Sequence, residues 1–209
     1  MYQLYYAPGS ASMGVRVLLE EIGASYELLE TSIEIGGPRP DAQLKINPNG
    51  WVPVLVWDDE GASSGAMYEA AAITVFLCDR HPEAGLAPST QDPDRALYLQ
   101  TLVFFSNAIQ TAFQQYYYPE RFADTPDYAP GSQRRGVRRL EETWRVIDTQ
   151  IGEKTWILGD RFSAADIYLY MITTWFDPSM DLHVDDFPNV ARVAHGVAER
   201  PSIRRVYAL

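Results

Sequence analysis

The chain has 209 residues, of which 46% are apolar and 12% aromatic, a composition typical of a folded globular protein rather than a disordered one. Its 17 basic and 28 acidic side chains give a net charge of −11, which argues against nucleic acids and anionic membranes as partners. No apolar run is long enough for a membrane span, and no amino-terminal secretory signal is visible. A single cysteine, Cys78, excludes an internal disulfide and favours a reducing, cytoplasmic location.

The first thirty residues predict a βαβ unit. Residues 3–6 and 26–31 have the composition of short strands. Between them, apolar residues recur with helical period from 15 to 22, and either Ser10 or Ser12 is expected to be the N-cap of this helix. Because a helical crossover joins the two strands, we expect them to be parallel.

A turn followed by a strand occupies residues 47–55. A Pro-Asn-Gly turn signal leads into a β-branched run with Pro53 at its entrance, a position that suits a residue without an N–H group. The bond between Val52 and Pro53 is a candidate cis peptide, because cis costs only roughly 0.5–1 kcal/mol at an X-Pro bond. An ordinary trans proline that opens a strand is the alternative, and the residues alone leave both open.

The next segments predict the end of one domain and a connection to another. Residues 58–61 have turn composition, and a weaker strand over 62–67 would complete a hairpin. A helix over 68–79 follows, so that the first half of the chain is βαβ followed by ββα. Residues 83–94 have the composition of a linker.

The rest of the chain predicts helices only. They are expected over residues 94–118, 132–151, 167–175 and 188–199, with a Pro- and Asp-rich break at 119–130 and a final turn from residue 200. Ser163 followed three residues later by Asp166 is the pattern of a capping box. This cap accounts for Asp166 without a catalytic role.

Four motifs, in this order, resemble those of the cytosolic glutathione transferase superfamily: Asn47-Pro48-x-Gly50-x-Val52-Pro53-x-Leu55, Glu69-Ala70-x-Ala72-Ile73, Gly159-x-x-Phe162-Ser163-x-Ala165-Asp166, and Phe187-Pro188-Asn189 followed by Arg200-Pro201-Ser202. The resemblance covers the whole chain and implies a bacterial member, serine-type or unclassified. It implies a thioredoxin-like α/β domain over 1–81, a linker over 82–94 and an all-helical domain over 95–209 that forms the second-substrate pocket.

The resemblance also implies a glutathione site at Val52, Pro53, Glu69 and Ala70. In that superfamily the proline that matches Pro53 is cis, and the backbone of the preceding residue pairs with the cysteinyl part of glutathione. Glu69 and Ala70 match the pair that holds the γ-glutamyl end. Ala70 departs from the pattern, which has a serine there, and the missing hydroxyl is expected to weaken affinity by roughly tenfold or more.

Three residues after or at the end of the first strand are candidates for the hydrogen-bond donor that activates the glutathione thiol. Ser10 is the first choice, because its Tyr-Tyr-x-Pro-Gly-Ser-Ala context resembles the insect delta type, and Ser12 and Tyr6 are the alternatives. Helix capping is the competing interpretation of the serines, and sheet packing is that of Tyr6. Ala11 stands where the bacterial beta type has a cysteine, so cysteine-based mixed-disulfide chemistry is not expected at that position.

Aromatic residues at the ends of two helices are candidates for the second-substrate pocket. Phe113, Tyr117 and Trp175 could line such a pocket, and core or dimer packing is the alternative. The three histidines of the chain have no metal-ligand spacing, so no metal site is expected.

We therefore expect a cytoplasmic, homodimeric transferase with glutathione as cosubstrate. It would activate the glutathione thiol for attack on a small apolar electrophile, as in detoxification. A glutathione-dependent disulfide or peroxide reductase and a non-catalytic ligand-binding protein on the same fold are the alternatives.

Overall fold

The computed structural model describes residues 1–34, 36–59 and 63–208. They group into two compact units: one holds Met1–Asp92 together with the carboxyl-terminal segment from Glu199, and the other holds Pro93–Ala198. The last segment therefore lies in the first unit, whereas the sequence-based boundaries assigned it to the helical domain.

The first unit is built on a four-stranded sheet with the order β2-β1-β3-β4. Its strands are β1 (Tyr2–Tyr6), β2 (Tyr26–Glu30), β3 (Val54–Asp58) and β4 (Ser64–Tyr68). The β1–β2 pair is parallel, as predicted, and β3 pairs antiparallel with both β1 and β4. The turn expected at 58–61 and the start of the strand expected at 62–67 fall partly on residues 60–62, outside the described residues.

Helices surround the sheet in the first unit and make up the second. They are α1 (Ser12–Glu21), α2 (Asp41–Ile46), α3 (Ala70–Arg80), α4 (Arg95–Phe104), α5 (Gln110–Tyr117), α6 (Ala129–Ile151), α7 (Ala164–Thr173), α8 (Pro188–Ala198) and α9 (Pro201–Tyr207). The continuous helix expected over 94–118 was wrong in detail, because the π-helical segment Phe105–Ile109 separates α4 from α5. Among the helices of the described ranges, none combines the length and apolar character needed to cross a bilayer.

Ion pairs explain why the end of the chain belongs to the first unit. The guanidinium of Arg200, just before α9, donates two hydrogen bonds to the carboxylate of Glu21 on α1, at 2.8 and 2.7 Å, and Arg205 pairs with Glu20. Burial alone would raise the pKa of Glu21, but hydrogen bonds from Arg200 and Ser202 outweigh it and hold that pKa below its usual value. The carboxylate form of Glu21 therefore ties α9 to α1.

A capping box starts the most buried helix of the second unit, as predicted. The hydroxyl oxygen of Ser163 accepts the N–H of Ala165 at 3.3 Å, and Oδ2 of Asp166 accepts the N–H of Ser163 at 2.8 Å. Oδ1 of Asp166 accepts the N–H of Ile157 at 2.9 Å. All residues of α7 are buried, so Asp166 serves the backbone inside the core and α7 begins directly after Ser163.

Candidate active site

Three strand ends meet at one edge of the sheet. Val54 lies opposite Tyr5 of β1 on one side and opposite Tyr68 of β4 on the other. The segment after β1, the residues before β3 and the residues after β4 therefore emerge at the same edge. This pairing brings together three of the predicted elements: the loop with Ser10, the Val52–Pro53 bond, and Glu69 with Ala70.

The Val52–Pro53 peptide bond is cis, which confirms the prediction. The side chain of Val52 is buried in a cluster with Tyr5, Ala7 and Val54. Because Ala7 belongs to the loop that leads to α1, this cluster fixes the backbone of Val52 and the start of that loop relative to each other. The main chain around Val52 is therefore held in one position by apolar packing.

Polar side chains to which the sequence patterns assigned no role hold the residues before Val52. Gln43, at the middle of α2, donates to the carbonyl of Gly50 at 3.2 Å, and Asn47 donates to the carbonyl of Trp51 at 3.2 Å. Arg39 donates from Nε to the same Gly50 carbonyl at 2.9 Å. Gln43 and Asn47 are both buried. Their role in holding the carbonyls of Gly50 and Trp51 is visible only in the structure.

The amino terminus of α3 is the second part of the site. Glu69, its N-cap residue, is solvent-exposed and has a φ of 78°, a left-handed conformation that is uncommon for a residue with a side chain and that clusters at functional sites. No described side chain caps this helix. Ala70, the first residue of α3, is buried. The N–H groups in the first turn of α3 and the dipole of this helix together favour an anion at this position.

The two serines after β1 form a buried cluster with the backbone of Ala7. The N-cap prediction was wrong, because Ala11 occupies that position and α1 starts at Ser12. Instead, the hydroxyl oxygens of Ser10 and Ser12 lie 2.6 Å apart, and Ser10 donates to the carbonyl of Ala7 at 2.7 Å. The serine hydroxyls therefore bind the strand end at Ala7, and the Ser10 hydroxyl also accepts the N–H of Ser12, the first residue of α1, at 3.2 Å.

The two serines differ in exposure, which bears on their chemistry. Ser12 is fully buried, whereas Ser10 retains 9% of its surface. The ring of Tyr6, the third candidate, packs against α1, with the guanidinium carbon of Arg16 at 5.7 Å from the ring centroid. A contact of this kind is consistent with the packing interpretation of Tyr6.

The aromatic residues predicted for a second-substrate pocket lie together in the second unit. The ring of Phe113 contacts those of Tyr117 and Trp175, with centroids 6.4 and 5.7 Å apart, and the hydroxyl of Tyr117 donates to the carbonyl of Trp175 at 2.6 Å. Burial, together with the nearby Asp177, raises the pKa of Tyr117 to about 12, so its hydroxyl stays neutral near pH 7. Phe113 is buried and supports the other two rings, which are partly exposed.

Within the described ranges, no three His, Cys, Asp or Glu side chains come together in a way that could hold a metal ion. Cys78, the single cysteine, is buried on α3. The sheet edge therefore offers the serine hydroxyls, backbone groups and the exposed carboxylate of Glu69 for its chemistry.

These features define a class of protein: a four-stranded thioredoxin-like α/β unit followed by a helical unit, the fold that the sequence predicted. The family profile described as "Glutathione S-transferase, N-terminal domain" matches residues 4–85, and "Glutathione S-transferase, C-terminal domain" matches residues 130–194. The chain belongs to the glutathione S-transferase family, which confirms the resemblance seen in its motifs.

Known relatives agree with this assignment over nearly the whole chain. "Glutathione S-transferase GstA" of Escherichia coli O157:H7 is 27% identical over 209 residues, with 97% of this chain and 95% of that protein covered. "Disulfide-bond oxidoreductase YfcG" of Escherichia coli K12 is 25% identical, with 97% and 92% covered. The solved structure of a sphingomonad glutathione S-transferase complexed with glutathione has a TM-score of 0.82 and 26% identity, with 99% and 97% covered.

Proposed function

We propose that the protein is a glutathione transferase that binds glutathione along the sheet edge formed by Val52, Glu69 and the loop containing Ser10. The observation that carries this proposal is the strand register, which brings these three elements to one edge of one unit. The glutathione-bound relative of 26% identity supports the choice of ligand.

Each part of the edge suits one part of glutathione. The backbone of Val52 would pair with the cysteinyl residue in the manner of an added strand. The N–H of Ala70 and the dipole of α3 would hold the γ-glutamyl carboxylate, and the exposed carboxylate of Glu69 would pair with the γ-glutamyl ammonium group. Pro53 would keep the Val52 backbone in place beside this ligand.

We assign thiol activation to Ser10. Its hydroxyl would donate a hydrogen bond to the glutathione sulfur and so favour the thiolate over the thiol. The thiolate then attacks the electrophilic carbon of the second substrate: an S–C bond forms, the leaving group departs with its bonding electrons, and the thiol proton goes to solvent. Ser12, which is fully buried, and Tyr6, which packs against Arg16, are less suited to reach a bound sulfur.

Replacing Ser10 with alanine tests this assignment. We expect the pKa of the bound glutathione thiol to rise by about one pH unit, because one hydrogen bond to the charged form is lost. The pKa is measured from the ultraviolet absorbance of the thiolate as pH is varied, and turnover is measured with a chloronitrobenzene.

Two controls make the result specific to Ser10. Ser63→Ala removes an exposed hydroxyl that donates to Asp59, and should change neither quantity. Affinity for S-methylglutathione, which has no thiol to ionise, should be the same in the wild type and in Ser10→Ala. An unchanged thiol pKa in Ser10→Ala would exclude Ser10 as the donor, and glutathione binding without turnover would instead favour the non-catalytic ligand-binding alternative.

A disulfide or peroxide reductase is the second candidate, favoured by the similarity to YfcG. Here the activated glutathione thiolate attacks one sulfur of a disulfide, the other sulfur leaves as a thiolate, and a second glutathione releases oxidised glutathione and the second thiol of the substrate. Cys78, the single cysteine, is buried, so both thiols come from glutathione. Faster turnover of a small disulfide than of the chloronitrobenzene would favour this candidate over the transferase.

For the second substrate, we propose that Tyr117 and Trp175 provide an apolar surface backed by Phe113. Two of these rings keep exposed area, and the neutral Tyr117 hydroxyl is held by the Trp175 carbonyl. A surface of this kind suits a small apolar electrophile. We assign this surface to the helical domain, for which the resemblance implies residues 95–209.

We also propose that the protein forms a homodimer through α4. Leu99 and Val103 lie one turn apart on this helix and are 36% and 59% exposed, an apolar stripe of the kind that another copy could cover. Val103→Asp should raise the dissociation constant of the dimer about tenfold, because a charge would be buried without a partner. Analytical ultracentrifugation measures this change.

The matched control for the dimer is Thr149→Asp, which adds the same charge at an exposed β-branched residue on a different helix, α6. We expect it to leave the dissociation constant nearly unchanged. Equal effects of the two substitutions would show that charge alone, and not the apolar stripe, controls association.

We place this activity in the cytoplasm, with a role in detoxification. The buried single cysteine and the dependence on reduced glutathione both suit a reducing compartment.

A further inference from the structure

Five hydrogen-bond contacts connect Ser10, Ser12 and the backbone of Ala7. The Ser10 hydroxyl contacts the Ala7 carbonyl at 2.7 Å, the Ser12 hydroxyl at 2.6 Å and the Ser12 N–H at 3.2 Å. The Ser12 hydroxyl accepts the N–H of Ala7 at 3.0 Å and also lies 3.2 Å from the Ala7 carbonyl. The three residues are buried, so each polar group depends on the others for its partners.

The two hydroxyl protons of this cluster can satisfy the Ala7 carbonyl in two ways. Each serine has one hydroxyl proton and two lone pairs. In the first arrangement Ser10 donates to the Ala7 carbonyl and Ser12 donates to Ser10. In the second, Ser12 donates to the Ala7 carbonyl and Ser10 donates to Ser12, so the Ser10 hydroxyl can turn to another acceptor while the Ala7 carbonyl keeps its partner.

Only the second arrangement allows Ser10 to donate to a bound sulfur without leaving the buried Ala7 carbonyl unsatisfied. We propose that Ser12 is a positioning residue, whose hydroxyl takes over the Ala7 carbonyl when the Ser10 hydroxyl turns toward the glutathione thiolate. This inference rests on the proposed function of Ser10 and goes beyond it by assigning a second residue to the activation step.

The assignment separates Ser12 from the role of direct donor. Ser12 lies two residues from Ser10, is fully buried and accepts the N–H of Ala7, so it remains part of the protein interior throughout. Without its hydroxyl, the proton of Ser10 is needed at the Ala7 carbonyl, because a buried carbonyl without a partner is costly. Ser12 therefore acts on the thiol through Ser10.

The test is a double-mutant cycle on the thiol pKa of bound glutathione. Ser12→Ala should raise this pKa by about one pH unit when Ser10 is present, which lowers the thiolate fraction at neutral pH about tenfold. In the Ser10→Ala background, the same substitution should add nothing, because its effect passes through Ser10. Ser12→Thr keeps the hydroxyl and should restore the thiol pKa.

A binding measurement and a second variant distinguish this role from a merely structural one. Affinity for S-methylglutathione should stay the same in Ser12→Ala, since the loss lies in thiol activation and not in ligand binding. If Ser12→Ala does not fold, Ser12→Cys, with a thiol that is only a weak donor, replaces it and should move the pKa in the same direction.

The outcomes distinguish the two proposals. An unchanged thiol pKa in Ser10→Ala would overturn the proposal that Ser10 is the donor. A raised pKa in Ser10→Ala with no change in Ser12→Ala, or additive effects in the double mutant, would overturn the role of Ser12 and leave Ser10 as the donor.

Discussion

Replacing Ala70 with serine is expected to tighten the binding of glutathione about ten- to a hundredfold. Ala70 is the first residue of α3, directly after the exposed Glu69, and its side chain is buried at the sheet edge. A serine hydroxyl there would donate to the γ-glutamyl carboxylate, in addition to the backbone N–H groups. Hydrogen bonds to charged groups are worth about 1.5–3 kcal/mol, and 1.4 kcal/mol is a factor of ten in affinity.

Isothermal titration calorimetry with glutathione measures this gain. Ala72→Ser is the matched control, because it adds the same hydroxyl in the same helical turn at an exposed position. We expect the control to bind like the wild type. We also expect the turnover number of Ala70→Ser to stay close to that of the wild type, since the γ-glutamyl end takes no part in thiol ionisation.

The opposite results would be informative about the ligand. If Ala70→Ser and Ala72→Ser bind glutathione equally, the γ-glutamyl carboxylate does not lie at the amino terminus of α3. In that case the role of Glu69 would also need another explanation, because its left-handed backbone would then serve a different group.

Local patterns in the sequence predicted the elements that position the site. The βαβ crossover predicted the parallel β1–β2 pair, and the Val-Pro step with its flanking motifs predicted the cis bond between Val52 and Pro53. The Ser163 and Asp166 pattern predicted the capping box. The capping box depends on residues three positions apart, where hydrogen-bond rules are strong, and the parallel pairing follows from the single helical crossover between β1 and β2.

Longer-range contacts could not be predicted in this way. The last segment joins the first unit through the pair between Glu21 and Arg200, which are 179 residues apart in the sequence. The serines after β1 were expected at the helix end, but their hydroxyls bond to Ala7 because the chain turns back on the strand there. Gln43 gave no signal, because a buried glutamine on a short helix looks like any polar surface residue.

Replacing Asp166 with alanine is expected to lower the free energy of unfolding by about 2–4 kcal/mol at pH 7. The carboxylate accepts the N–H groups of Ile157 and Ser163 at 2.9 and 2.8 Å inside the core of the second unit. Alanine leaves both donors buried without an acceptor and removes the reciprocal half of the capping box. Urea denaturation of the two proteins measures the difference.

The pKa of Asp166 determines how its contribution to the free energy of unfolding changes with pH. Burial raises the pKa of Asp166 from its ordinary value of 3.8 to about 6, against the hydrogen bonds that favour its charged form. The folded state therefore holds this proton more tightly than the unfolded state, so the stability linked to it is full below about pH 4 and is lost as pH rises through 6. We expect the cost of Asp166→Ala to be about 1 kcal/mol larger at pH 5 than at pH 7.

Asp160→Ala is the matched control, because Asp160 lies six residues earlier, is exposed and accepts a hydrogen bond from the Thr155 hydroxyl at 3.3 Å. Its effect on the free energy of unfolding should stay within about 0.5 kcal/mol at both pH values. If Asp166→Ala lowers the free energy of unfolding less at pH 5 than at pH 7, the two N–H donors outweigh burial and keep the carboxylate charged. Asp166 would then stabilise the fold as an anion, and its pKa would lie below its ordinary value.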